Sequence, residues 1–104
     1  MQLELGQVVR SLAGRDWGKN YLIIGFIVEG RVLLADGRVR TVDRPKKKNV
    51  KHLQPYRCVF PEIKEKIQRG VLNDNAVRDA LNNLLSKENN EYNPPSPRVP
   101  SVNG

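Results

Sequence analysis

The chain has 104 residues, a formal net charge of +7 at neutral pH and a single cysteine. A chain of this length buries one modest hydrophobic core, so we expect one main domain with short appendages. The single cysteine excludes an intramolecular disulfide, and no run approaches the roughly 20 apolar residues of a membrane-spanning helix. We therefore expect a soluble, cytoplasmic protein without a membrane partner.

The positive charge is concentrated in the first part of the chain. Residues 1–57 contain 12 Lys and Arg against 5 Asp and Glu, whereas residues 58–104 contain 6 of each kind. An uneven basic surface is typical of proteins that bind nucleic acid. Any contact with a polyanion is therefore expected within residues 1–57.

Short β-branched and apolar segments predict an all-β first domain. The predicted strands are 3–11, 20–28, 31–35, 38–42 and about 50–53. Glu29-Gly30 and Asp36-Gly37 predict two-residue hairpin turns, so the strands would follow one another as a meander. In the fourth strand, Val39 would face the core and Arg38 and Arg40 would lie together on the solvent side.

The most densely charged segment is RPKKKNVKH, residues 44–52. Pro45 would end the fourth strand, so Lys46, Lys47 and Lys48 are expected to project from a loop. Such a run either contacts nucleic-acid phosphates or forms a solvated turn. The arginines predicted nearby favour phosphate contacts.

The most diagnostic segment is GQVVRSLAGRDWGKNYLIIG, residues 6–25, in which a basic loop containing glycine separates two apolar strands. This layout resembles the KOW motif of ribosomal proteins and of some transcription elongation factors, in particular a subgroup related to a eukaryotic and archaeal large-subunit ribosomal protein. The matching residues are Gly6, Val8, Val9, Ser11, Ala13, Gly14, Arg15, Asp16, Gly18 and Lys19.

The KOW resemblance implies an SH3-like small β-barrel whose first-hairpin loop and basic face contact RNA or a partner protein. It implies no catalytic activity, and it extends to about Leu53. Trp17 departs from the motif, which has a small or charged residue at this position. The indole either enlarges the contact surface or covers part of the barrel.

After Pro55 the apolar pattern takes the period of a helix. Pro61 at the first helical position and Gly70 just past the end predict a short helix. A second helix is predicted to begin at Asn73 or Asp74. Its apolar stripe is Val77, Ala80, Leu81, Leu84 and Leu85.

These patterns divide the chain into three parts. Residues 1–57 are predicted to form the KOW-type, SH3-like barrel, and residues 58–86 a helical hairpin. Residues 87–104, rich in Pro and Asn, are predicted to form a disordered tail.

The leading hypothesis is a non-catalytic RNA-binding protein associated with the ribosome or with translation. Ribosomal RNA is the expected partner, with ribosomal proteins as further partners, and the protein is expected to be a monomer. The candidate RNA-binding residues are Arg10, Arg15, Trp17, Lys19, Arg38, Arg40, Lys46, Lys47, Lys48 and Lys51.

The alternative hypothesis is an adaptor that docks on a ribosomal or transcription protein. Binding through several phosphates would weaken steeply with salt, whereas apolar docking would not. An enzyme is disfavoured because one His, one Cys and scattered carboxylates assemble neither a catalytic triad nor a metal site. No cofactor is expected.

Overall fold

The computed structural model describes residues 2–28 and 30–90, with side chains described up to residue 84. In this part of the chain, five strands form an antiparallel sheet in the order β4-β3-β2-β1-β5. The elements are β1 (Gln7–Ser11), β2 (Asn20–Ile27), β3 (Arg31–Ala35), β4 (Lys46–Asn49), a 3₁₀ turn (Val50–His52), β5 (Leu53–Val59), α1 (Pro61–Arg69) and α2 (Asp74–Asn90). This architecture is compatible with a small β-barrel-like fold followed by helices.

The sheet curls because its two edge strands are joined by a very short connection. In a flat sheet β4 and β5 would lie about 19 Å apart, at roughly 4.8 Å per strand spacing. The three residues Val50–His52 connect them, and a linker of that length spans at most about 14 Å. The concave face encloses a core formed by Val9, Tyr21, Ile23, Val32, Leu34 and Leu53.

The helices cover the other face of the sheet. Val8 and Leu22, on adjacent strands β1 and β2, contribute to a second core that includes buried residues of both helices. The remaining buried members are Ala35, Tyr56, Phe60, Ile63, Val77, Ala80 and Leu84. Because β2 is buried on both faces near its start, its sequence is a continuous apolar run and does not alternate.

The helix termini confirm the predictions made from local sequence. Pro61 occupies the first turn of α1, and Gly70 ends that helix with a φ of +74°. The side chain of Asn73 accepts a 2.9 Å hydrogen bond from the Ala76 N–H, so Asn73 is the cap of α2. The helix continues to Asn90, past the predicted boundary at residue 86, and residues 91–104 of the tail predicted for 87–104 lie outside the described residues.

The strand predicted at 38–42 is wrong. The Asp36 carboxylate accepts hydrogen bonds of 2.9 Å from the N–H groups of both Arg38 and Arg40, which closes a tight turn in place of a hairpin. Residues 36–45 therefore form a loop, here called the β3–β4 loop. Val39 is 72% exposed on this loop and does not face the core.

Other boundaries also differ from the predictions, and β1 begins at Gln7 and not at residue 3. The segment predicted as a fifth strand begins with the 3₁₀ turn Val50–His52, and β5 continues to Val59. The connection between β2 and β3 spans residues 28–30, which is three residues where two were predicted. Gly30 in that connection has a φ of +73°.

The lysine run is a strand and not the predicted loop. Lys46 pairs with Leu34 and Lys48 with Val32, so both lysines share the concave face with these buried residues. Lysine is uncommon in strands, but its aliphatic stem can lie along apolar surface while its amine reaches a polar partner. On an edge strand, inward-pointing charges also discourage pairing with another chain.

Candidate nucleic-acid interface

The loop between β1 and β2, residues 12–19, is held in one conformation by its own backbone. The N–H of Gly18 donates to the Ser11 carbonyl at 2.7 Å, and the N–H of Lys19 donates to the Asp16 carbonyl at 2.9 Å. Gly14 and Gly18 have φ values of +85° and +88°, which other residues adopt only with strain. Arg15, Trp17 and Lys19 are consequently presented to solvent from a fixed scaffold.

Asp16 connects this β1–β2 loop to strand β4. Its Oδ1 accepts hydrogen bonds from Ser11 Oγ at 2.9 Å and from Lys48 Nζ at 3.0 Å, and its Oδ2 accepts one from the Tyr21 hydroxyl at 2.9 Å. The Lys48 amine also donates to the Ala13 carbonyl at 2.7 Å. Asp16 therefore braces the loop against β4.

The ion pair persists across the physiological pH range. Burial disfavours the charged form of Asp16, but hydrogen bonds from Lys48, Ser11 and Tyr21, with the charge of Lys46, hold the pKa of this carboxyl well below its usual range. Burial and the hydrogen bond to Asp16 raise the pKa of the Tyr21 hydroxyl above its usual value. Asp16 is thus a carboxylate, and Tyr21 a neutral donor, at any pH near neutrality.

Acid should weaken the fold through this carboxylate. Because the pKa of Asp16 is lowered in the folded state, the unfolded chain binds more protons as pH falls below roughly 4, the ordinary carboxyl pKa. The contribution of Asp16 to stability is complete above that pH. It is lost as the pH falls towards the lowered pKa that Asp16 has in the folded state. Urea unfolding at several pH values should show a shallower acid slope for Asp16→Asn than for the natural chain, and parallel curves would contradict this assignment.

Cations from three segments converge beside the Asp16 network. They border a concavity of about 320 Å³, here called the basic concavity, between the β1–β2 loop, the β3–β4 loop and β4. The lining residues are Arg15, Asp16, Lys19, Tyr21, Val39, Arg40 and Lys46. Lys46 also lies 3.7 Å from Asp16 Oδ2, whereas Lys48 holds the other carboxylate oxygen. The lining is therefore strongly positive overall.

A second concavity of about 270 Å³ adjoins the first and shares Lys19 with it. Its lining residues are Lys19, Asn20, Asp36, Arg38, Arg78, Leu81 and Asn82, so helix α2 forms one wall. Arg78 and Asn82 were absent from the sequence predictions. They lie on the polar side of α2, a helix whose prediction rested on its apolar stripe alone. No local sequence pattern indicates that this side of α2 lies close to the β3–β4 loop.

Helix α2 also positions the β3–β4 loop. Arg78 donates to the Gly37 carbonyl at 2.6 Å and to the side-chain oxygen of Asn75. The Asp74 carboxylate accepts a 2.8 Å hydrogen bond from the Val42 N–H. These contacts fix the backbone on both sides of Arg40, so the helical extension controls the geometry of the basic concavity.

The structure brings together only part of the predicted set. Arg15, Lys19, Arg40 and Lys46 line the basic concavity, and Arg38 lines the adjoining one. The arginines of the β3–β4 loop are therefore not the paired platform that the strand prediction implied.

The other predicted residues have different surroundings. Trp17 is 62% exposed, and the Arg10 guanidinium carbon lies 5.4 Å from its ring centroid. Lys47 and Lys51 are exposed outside the residues that line the two concavities. The Lys48 side chain is only 9% exposed and its amine is used internally.

The described part of the chain has neither a metal-binding cluster nor a membrane-spanning helix. Within 2–28 and 30–90, no group of three or more His, Cys, Asp or Glu is placed to hold a metal ion. In the same part of the chain, no helix has the length and apolar character needed to cross a bilayer.

Comparison with known proteins gives two relatives with ribosomal names, while no protein-family model matches the chain. The chain is 48% identical over 46 residues to "Putative ribosome-binding protein YbzG" of Bacillus subtilis (strain 168), a match covering 44% of this chain and 62% of that protein. It thus spans about three fifths of the length of that relative. It is 28% identical over 85 residues to Large ribosomal subunit protein eL14 of Staphylothermus marinus, covering 82% of this chain and 83% of that protein. The two similarities together support a ribosome-related family.

Proposed function

We propose that this protein is a non-catalytic RNA-binding protein associated with the ribosome, and that RNA phosphates bind in the basic concavity. The observation that carries the proposal is the convergence of Arg15, Lys19, Arg40 and Lys46 on one concavity from separate segments. The carboxylate among them, Asp16, is already engaged by Lys48, which leaves the surrounding positive charge available to a polyanion.

The relatives' names support the choice of partner. A protein similar to a ribosome-binding protein and to a large-subunit ribosomal protein would meet ribosomal RNA in the cytoplasm, with ribosomal proteins as further contacts. We propose separately that it acts as a monomer. Both names denote binding or structural proteins, which supports a function without catalysis. Such a protein needs no cofactor.

We propose further that the fold is an SH3-like barrel of the KOW type. The curled five-stranded sheet and the glycines at positive φ in the β1–β2 loop support it. The division into a barrel at 1–57, a helical hairpin at 58–86 and a tail at 87–104 belongs to the same proposal. Strand β5 extends the sheet two residues past the first boundary.

A pair of charge-neutralising variants tests the site. Arg15→Gln with Lys19→Gln removes two exposed charges from the basic concavity, and Lys47→Gln with Lys51→Gln removes two exposed charges outside it. We expect the first pair to weaken RNA binding by roughly 30- to 150-fold at physiological salt, at ~1 to 1.5 kcal/mol per charged contact. It should also reduce the slope of log affinity against log salt by about 1.4 to 1.8.

The control pair changes the net charge equally, so it separates a local site from a general attraction. We expect its affinity for RNA to stay within about threefold of that of the natural chain. At physiological salt, dissolved ions screen the attraction between RNA and charges that lie away from the binding site. Equal losses from both pairs would contradict the basic concavity as the site. No loss from either pair would contradict RNA binding through these residues.

Exposed apolar residues at the opposite end of β2 favour the second candidate function, a protein-docking adaptor. Phe26 and Val28 are both more than half exposed there, about 20 Å along the strand from the β1–β2 loop. Co-sedimentation with ribosomal particles across a salt series distinguishes the two functions. A steep loss of co-sedimentation as salt rises supports phosphate binding. Co-sedimentation that is retained at high salt, and is lost when Phe26 is substituted, supports protein docking.

A further inference from the structure

We infer that the RNA recognised by this protein contains an unpaired nucleotide, and that its base stacks on the indole of Trp17. This inference rests on the proposed function and specifies the kind of RNA that the site accepts. The inference is based on an exposed aromatic ring that has Arg10 over it and lies in the loop that supplies part of the lining of the basic concavity. Trp17 lies in the chain between Arg15 and Lys19, which both line that concavity.

The indole is supported on one face and accessible on the other. The guanidinium of Arg10 lies over the ring at 5.4 Å from its centroid, within the range of a cation–π contact. With Arg10 in place, Trp17 is still 62% exposed. A nucleobase on the free face would therefore complete a stack of guanidinium, indole and base.

The loop that carries Trp17 is already ordered before RNA binds. The N–H of Trp17 donates to the Gly14 carbonyl at 3.2 Å, and the neighbouring Asp16 is fixed by its contacts with Ser11, Tyr21 and Lys48. Ordering a flexible loop on binding would consume part of the interaction energy, and a braced loop avoids that loss. Trp17 is thus a preorganised stacking platform.

The charge around the platform selects RNA over an apolar partner. A stacked base carries its phosphates with it, and Arg15 and Lys19 of the same loop line the basic concavity. An A-form duplex offers phosphates to these cations but keeps its bases stacked inside, where Trp17 cannot reach them. Unpaired loops and bulges present both groups at once.

The fluorescence of Trp17 reports stacking directly, because it is the only tryptophan in the chain. The full-length protein is titrated with a single-stranded RNA of about 12 nucleotides and mixed sequence, and with the duplex of the same length. We expect the single strand to quench Trp17 and the duplex to leave its emission nearly unchanged. Equal quenching by both RNAs would overturn the inference.

Substitutions at Trp17 test the contribution of the ring to affinity. Trp17→Ala should weaken binding of the single strand by roughly 5- to 150-fold and change duplex binding by less than about threefold. Trp17→Phe should restore most of the single-strand affinity because it keeps an aromatic face. Thermal unfolding should confirm that both variants are folded, as expected for a side chain this exposed.

The same series separates this inference from the proposed function. If Trp17→Ala binds both RNAs like the natural chain, while Arg15→Gln with Lys19→Gln binds both more weakly, RNA binding stands and base stacking is wrong. If the natural chain binds neither RNA, the proposed function fails and the inference fails with it.

Discussion

Replacing Asp16 with alanine should lower the free energy of unfolding by about 4 kcal/mol, as expected when one partner of a buried ion pair is removed. The Lys48 ammonium would keep its hydrogen bond to Ala13 but lose its countercharge, in a position where the side chain is 9% exposed. The hydroxyls of Ser11 and Tyr21 would lose their acceptor as well. Urea unfolding monitored by Trp17 fluorescence measures the change.

Three further variants identify the origin of that loss. Asp43→Ala removes an exposed carboxylate and should change stability by less than about 0.5 kcal/mol. Adding Lys48→Met to Asp16→Ala removes the stranded charge and should recover part of the stability. Asp16→Asn preserves the side-chain volume and should be less damaging than alanine. A loss below about 1 kcal/mol for Asp16→Ala would contradict the role of Asp16 as the brace between the β1–β2 loop and β4.

Gly37→Ala should lower the free energy of unfolding by about 3 kcal/mol and should also weaken RNA binding. Gly37 has a φ of +77°, and an added Cβ would lie 2.7 Å from the Asp74 carbonyl oxygen and 2.8 Å from Cγ of Arg78. The left-handed backbone accounts for about 1 to 2 kcal/mol and the overlap with α2 for the remainder. To relieve the overlap, the β3–β4 loop must separate from the helix and move Arg40 out of the basic concavity.

Gly70→Ala is the matched control for this substitution. Gly70 has a similar φ of +74°, but no described atom outside its own neighbourhood lies within 4 Å of an added Cβ. Backbone strain alone should therefore destabilise the chain by about 1 kcal/mol and leave RNA affinity unchanged. If the two variants behave alike in both measurements, the contact between the loop and α2 does not position the site.

Local signals were sufficient for the elements that depend on neighbouring residues. Val8 and Val9 predicted β1, the apolar run after Lys19 predicted β2, and Pro61 with Gly70 marked the ends of α1. Each signal acts within one turn or one strand, through backbone preference or side-chain period. These elements were therefore predicted with errors of only a few residues at their ends.

The region after β3 was predicted wrongly, in part because its structure depends on distant residues. The strand at Lys46–Asn49 is disfavoured by its composition and is stabilised by an ion pair with Asp16, some 30 residues earlier. The β3–β4 loop begins with a local turn at Asp36, and hydrogen bonds from α2, more than 30 residues later in the chain, hold its backbone at Gly37 and Val42. Long-range contacts of this kind leave no periodic pattern in the sequence.

Local sequence was enough to predict the uneven charge, the glycine-containing loop with Arg15, Trp17 and Lys19, and the presence of a helical extension. Which of the ten predicted residues lie together depends on the packing of the chain. Curling of the sheet and docking of α2 bring Arg40 and Lys46 close to the β1–β2 loop. Lys48, in contrast, forms an internal ion pair with Asp16. Charged side chains interact strongly with one ligand or with one another only when they lie within a few ångströms. Packing between segments that are remote in sequence sets those distances.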